Sequence, residues 1–134
     1  MIHRIRANTP ASIRSASRAA LSTRSERKRF DALTSLNGVS APMASAALTL
    51  LNPKRYGVLD IHVWSLLREL GAVAKNPGAV GFSFGNWSEF LAVVRHLART
   101  LGCTARDVER TLFALHRARQ VGPLYRSRPQ RPRP

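Results

Sequence analysis

Residues 36–64 read LNGVSAPMASAALTLLNPKRYGVLDIHVW and set a turn, a small-residue helix and a lone aspartate at fixed intervals. Asn37-Gly38 is a strong turn pair in which glycine accepts positive φ, and Ser40 is suited to cap the helix that follows. Pro42 falls in the first turn of that helix, where a missing N–H costs nothing. Met43 to Leu51 are good helix formers, and the small side chains of Ala44, Ala46 and Ala47 allow close approach of another backbone. Asn52-Pro53 ends the segment. Asp60 then stands at the N-cap of a second helix, Ile61 to Leu70, whose apolar residues Ile61, Val63, Trp64, Leu67 and Leu70 recur at helical spacing.

These residues resemble the helix-hairpin-helix base-excision DNA glycosylases, the endonuclease III and oxoguanine glycosylase superfamily. Members carry a hairpin reading L-P-G-V-G-x-K-T-A, then a helix, then V-D-x-H-V ahead of another helix. Leu36, Gly38, Val39 and Ala44 match the hairpin, and Leu59-Asp60-Ile61-His62-Val63 matches the second part. Pro42 occupies the place of the Schiff-base lysine of bifunctional members, and Asp60 follows 18 residues later, where the family has its catalytic aspartate. The resemblance implies an all-α fold, a compact helical domain containing a helix-hairpin-helix, and double-stranded DNA as the partner. It implies that Gly38, Val39 and Ser40 present backbone N–H groups to a phosphate oxygen. It also implies that Asp60 activates water and opposes the positive charge that develops on the sugar as an N-glycosidic bond breaks.

The differences from the family pattern narrow that chemistry. With Pro42 in the lysine position, any excision is monofunctional base removal without lyase cleavage through that amine. Cys103 is the only cysteine, so the cysteine cluster of the iron-sulfur members is absent. Asn37 replaces the family proline and Ser40 its second glycine; a left-handed conformation at Ser40 would strain the turn by roughly 1 kcal/mol. Two simpler readings stand beside the functional ones. The turn can join two packed helices with no ligand, and an aspartate at an N-cap stabilises its helix by about 1 kcal/mol with no substrate. The corresponding alternative function is a non-catalytic nucleic-acid-binding or protein-interaction module reduced from the same fold.

The charge is concentrated at the two ends. The chain of 134 residues carries a formal net charge of +15. Residues 1–29 hold eight Lys and Arg against one acid, residues 30–116 eight against six, and residues 117–134 six against none. Basic arms on a nearly neutral fold suit a polyanion, because each phosphate neutralised releases counterions. A bias towards arginine, 19 against 3 lysines, accommodates the same composition without such a partner. Arg27, Lys28 and Arg29 before the hairpin, and Lys54 and Arg55 after it, are the cations expected to join the hairpin on nucleic acid; a solvated charge run is the alternative.

In chain order, residues 1–22 form a basic segment, partly helical, with Thr9 as N-cap and Ile13, Ala16, Ala20 and Leu21 directed to a core. Residues 1–25 lack acids and are rich in Arg, Ser and Ala, which also describes an organellar transit peptide. Read as a folded, untargeted segment, this stretch fits a cytoplasmic protein of bacterial type, for which association with the nucleoid is an open option; a mitochondrial location is the alternative. Residues 23–121 form the helical domain. Thr23-x-x-Glu26 reads as a capping box for a helix with Phe30, Leu33 and Leu36 inward. A glycine-rich loop at residues 71–86 holds Phe82 and Phe84, either covering a pocket or sealing the core. Asn86-x-x-Glu89 opens a helix with Trp87, Phe90, Leu91, Val94, Leu97 and Leu101 buried and His96 at the surface. Gly102 closes it, and Thr104-x-x-Asp107 caps a last helix with Val108, Leu112 and Leu115 inward. Residues 122–134 form an Arg/Pro-rich tail expected to be disordered.

No run approaches the length of a membrane span. A single cysteine excludes an internal disulfide and a cysteine-rich zinc site, and Cys103 is expected half-buried. Scattered histidines, and glycines that follow no strand, leave no metal-ligand cluster, Walker loop or dinucleotide fingerprint, so no cofactor is expected.

Overall fold

A computed structural model describes residues 2–120, and these form seven helices with no strand among the described residues: α1 (Ile2–Arg6), α2 (Pro10–Ser22), α3 (Glu26–Thr34), α4 (Ala41–Leu51), α5 (Ile61–Glu69), α6 (Phe84–Leu101) and α7 (Ala105–Arg119). The protein is all-α. The Arg/Pro-rich tail at 122–134 lies outside the described residues.

Side-chain caps set most helix starts. Thr9 accepts the Ser12 N–H at 3.1 Å with Pro10 in the first turn of α2. Asp60 accepts the Val63 N–H at 2.9 Å, and Thr104 and Asp107 form a reciprocal capping box on α7. Gly102 ends α6 in the left-handed region at φ 67°.

Two starts differ from expectation. Ser25, not Thr23, caps α3: its hydroxyl accepts the Lys28 N–H, and Thr23 Oγ1 instead accepts the Ser25 N–H. α6 starts at Phe84, with Ser83 and Asn86 exchanging the two bonds of a capping box, three residues before the Asn86–Glu89 start. In both cases a serine within three residues of the expected cap takes that place. Phe30 is buried, and Phe84 packs its ring edge-on to it at 5.6 Å between centroids.

The core is built on α5 and α6, where Trp64, Leu66, Leu67, Trp87, Phe90 and Val94 are fully enclosed. α7 closes this pair on one side, and α2 packs on α3 on the other. Apolar stripes hold at their middles and lapse at their ends. Leu101 and Leu115 are exposed, as are Ile13 and Leu21 on α2, while Ala16 and Ala20 supply that helix's buried contacts. On α7 the inward positions next to Val108 and Leu112 belong to Glu109 and His116, whose polar groups find partners. Cys103 is exposed rather than half-buried, in the turn between α6 and α7.

The segment between α4 and α5 is held against α7: Ala105 N–H donates to the Lys54 carbonyl at 3.1 Å and Arg106 N–H to the Pro53 carbonyl at 3.0 Å. Gly57 lies so close that an added Cβ would stand 2.7 Å from Glu109 Cβ. Gly57→Ala is therefore expected to destabilise the fold by about 1–3 kcal/mol, the usual cost of overpacking. Tm falls by roughly 4 °C for each of those kcal/mol. An unchanged thermal midpoint would show that this segment does not rest on α7.

Candidate nucleic-acid interface and the Asp60 cleft

The turn at residues 35–40 joins α3 to α4. Gly38 takes φ 77°, the left-handed region that glycine enters without cost. Ser40 has φ −90° and ψ 174°, ordinary extended backbone, so the serine carries none of the strain that a left-handed position would impose. It occupies the N-cap of α4 as expected, yet its side chain makes no capping bond. Among the described residues no hydrogen bond uses the N–H groups of Gly38, Ser40, Ala41 or Met43, whereas the Val39 N–H is spent on the Leu36 carbonyl at 3.2 Å. Of the three amides assigned to phosphate, those of Gly38 and Ser40 are unspent and that of Val39 is engaged.

An N-terminal layer covers one side of this turn. Asn8 bonds the main chain of Asn37 twice, accepting its N–H at 2.8 Å and donating to its carbonyl at 2.9 Å. A Cβ at Gly38 would lie 3.0 Å from Arg4 Cβ and from Ile5 Cγ1, so the glycine also admits α1. This contact carries no sequence signal, because Asn8 and Asn37 lie 29 residues apart and neither belongs to a periodic pattern.

The other side of the turn opens on a cleft of about 580 Å³. Phe30 and Thr34 of α3, residues 39–42, Asp60 and Ile61 at the start of α5, and residues 79–82 form its walls. Residues 39–42 at the turn and Asp60, 18 residues after Pro42, thus line one space. The glycine-rich loop does both things weighed for it. Phe82 packs edge-on against Trp64 at 5.6 Å and also lines the cleft that Asp60 lines.

Asp60 caps α5 and faces the cleft at once. Burial pushes its carboxyl above the ordinary carboxylate range, opposed by the Val63 N–H and by the imidazoles of His62 and His116. Those rings meet across α5 and α7 with Nδ1 atoms 3.0 Å apart, and His116 Nε2 lies 3.7 Å from Glu69. On the side towards α7 a second hollow of about 480 Å³ is shared by Asp60 and Glu109. Glu109 is paired with Arg106, and burial raises its carboxyl too, with the Asp60 charge adding to the rise.

The cations named from sequence separate. Arg29, expected at the surface, is turned inward: its guanidinium donates to the carbonyls of Ala20 and Thr23 and to the Tyr56 hydroxyl, and pairs with Glu26 at 3.0 Å. Arg27 pairs with Asp31 at 3.1 Å and lies over the Phe84 ring. Lys28 is exposed. Lys54 and Arg55 are exposed beyond the far end of α4, about 16 Å of helix from the hairpin at 1.5 Å per residue, and do not join it. Conversely, His3 and Arg4 reach the hairpin although they were not singled out. No group of three or more His, Cys, Asp or Glu suited to a metal occurs among the described residues. No helix among them is long and apolar enough to cross a membrane.

Comparison of the chain with protein-family models, with curated proteins and with solved structures returns no match.

Asparagine caps helices about as well as aspartate, so two substitutions separate the roles of Asp60. Asp60→Ala removes the cap and is expected to cost about 1 kcal/mol. In Asp60→Asn the cap persists and no charge is buried. A raised folded-state pKa means stability present at low pH and lost as pH rises through the raised range. Urea denaturation should therefore show Asp60→Asn at least as stable as the parent near neutral pH, with its relative advantage shrinking towards acid pH. A less stable asparagine variant at neutral pH would show that the carboxylate charge supports the fold.

Proposed function

We propose that this protein binds double-stranded DNA through a helix-hairpin-helix formed by α3, the 35–40 turn and α4, and that its Asp60 cleft acts as a monofunctional DNA N-glycosylase site. The observation that carries this reading is the single cleft into which the hairpin, Asp60 and an apolar wall from Phe30 and Phe82 all face. Its volume falls within the range of small-ligand sites, and its walls suit the face of an extruded base. The Gly38 and Ser40 amides suit a backbone phosphate oxygen, which fixes position and carries no sequence information.

Asp60 supplies the charge. As the bond between base and sugar weakens, positive charge grows on the sugar, and a fixed carboxylate beside it lowers the barrier. The same carboxylate accepts the proton of an attacking water, and burial, which raises its pKa above the ordinary value, makes it a stronger base. Pro42 offers no amine, so the product is an intact strand with an abasic sugar.

A second reading has its own support: one Asp60 oxygen already holds the Val63 N–H, a purely structural duty that a non-catalytic binding module reduced from such a fold would retain. Duplex oligonucleotides carrying deaminated, oxidised or alkylated bases decide between them. The parent should release a base from at least one, leaving a strand that breaks only after alkali treatment. Asp60→Asn should lower that release at least a hundredfold, the scale of a lost transition-state charge, with DNA affinity within about twofold. Release should rise with pH through a range above that of an ordinary carboxylate. No release from any substrate by a protein that still binds DNA removes the enzyme and leaves the module.

A further inference from the structure

The Asp60 cleft is the first of three depressions that share wall residues in series, a furrow interrupted by the 35–40 turn. It shares Thr34, Val39 and Ser40 with a second depression of about 630 Å³, lined in addition by His3 and Arg4 of α1. That depression shares Ser35, Leu36 and Asn37 with a third, of about 520 Å³, which runs between α2 and α3 past Asn8, Ser12 and Ala16. The chemistry changes along the way, from an apolar chamber with a carboxylate, through a stretch with a guanidinium and an imidazole, to a groove of hydroxyl and small side chains.

Resting on the DNA-binding reading above, we infer that one strand of a DNA duplex follows this furrow out of the cleft, and that Arg4 holds the phosphodiester next to the nucleotide at Asp60. The order of groups matches the order of a nucleotide's parts. The apolar chamber takes a base, and the guanidinium one shared wall away takes the anionic linkage.

Arg4 is exposed and makes no ion pair among the described residues, so its charge is available. Its backbone is nevertheless placed. Asn8 bonds both the N–H and the carbonyl of Asn37, and Arg4 Cβ lies where a Cβ on Gly38 would stand only 3.0 Å from it, so the bare glycine leaves room for α1. A cation fixed against the hairpin in this way gains a phosphate contact without first ordering a free arm. Arg14 of α2 provides the matching control. It is exposed and likewise without an ion pair among the described residues, but at 3.6 residues per turn it projects from the face of α2 opposite Ser12 and Ala16.

Fluorescence anisotropy on a labelled DNA duplex across a salt series tests the assignment with the parent, Arg4→Ala, Asn8→Ala and Arg14→Ala, all checked for folding by circular dichroism. Arg4→Ala should weaken binding roughly three- to tenfold and reduce the slope of log Kobs against log salt by about one. Asn8→Ala, which leaves the charge unaltered, should weaken it in the same direction by releasing α1, and Arg14→Ala should stay within about twofold of the parent. Equal losses for Arg4→Ala and Arg14→Ala overturn the furrow in favour of diffuse attraction, and parental binding by Arg4→Ala overturns it outright. Tighter binding of single-stranded RNA than of the duplex overturns the duplex assignment. A parent protein that binds no DNA at moderate salt removes the DNA-binding reading itself, an outcome distinct from binding that ignores Arg4.

Discussion

Four side chains, Glu26, Arg29, Tyr56 and Arg95, tie the N-terminal half of the molecule to the core. The Tyr56 hydroxyl donates to Glu26 Oε1 at 2.8 Å and accepts from Arg29 at 3.0 Å, while Arg95 reaches Glu26 at 3.4 Å and the Arg55 carbonyl at 2.8 Å. The Tyr56 ring lies parallel to Trp87 with centroids 6.1 Å apart, and the Arg95 guanidinium lies over the Tyr56 ring at 5.0 Å from its centroid. Burial and the Glu26 carboxylate together push the phenol's pKa up, so it stays a donor. Charge-assisted hydrogen bonds of this kind contribute about 1.5–3 kcal/mol each where they are shielded. Their larger effect is geometric. α3 is pinned to the 52–57 segment and to α6, so the turn that α3 carries and the aspartate that follows the segment are held in one frame.

That tie explains why part of the architecture was legible and part was not. Features set by neighbouring residues were readable: the Asn37-Gly38 turn, the Thr9, Asp60 and Thr104 caps, the Gly102 stop, and the helical stripes through Trp64 and Trp87. Each is decided by backbone chemistry within four residues. Arg29 was not readable, because in sequence it is one of three consecutive cations, and the partners that turn it inward, the Ala20 and Thr23 carbonyls and the Tyr56 hydroxyl 27 positions on, are set by the packing of α2, α3 and the 52–57 segment. Leu101 and Leu115 failed for a related reason. Helical spacing assigns a face, but a helix end can project beyond its neighbour, and there the face meets water. On α7 buried ion pairing at Glu109 replaced the apolar contact that periodicity favours.

The cleft shows the same division. The spacing between hairpin and aspartate was visible because both are turn and cap signals, and the intervening helix has a definite length. Its depth was not visible, since the far wall comes from residues 79–82, a stretch whose glycines indicate only a loop. Nor was the N-terminal wall. Asn8 is a common loop residue until it faces another asparagine's main chain, and Gly38 reads as a turn glycine although it also makes room for α1.

The far wall carries a cost that the rest of the molecule offsets. Asn76 and Ala79 are the described non-glycine residues with positive φ, at 52° and 50°. Asparagine tolerates that region, but alanine there is strained by about 1–2 kcal/mol. The strain is held by a local clamp. The Asn76 side chain bonds both the N–H and the carbonyl of Val80, and Trp64 Nε1 donates to the Lys75 and Asn76 carbonyls. Trp64 is fully buried at the centre of α5, four residues after Asp60. The indole that anchors the strained wall and the carboxylate opposite it thus belong to one helix. Displacing α5 would alter both sides of the cleft together, so its width depends on how the core holds Trp64 more than on the loop that lines it.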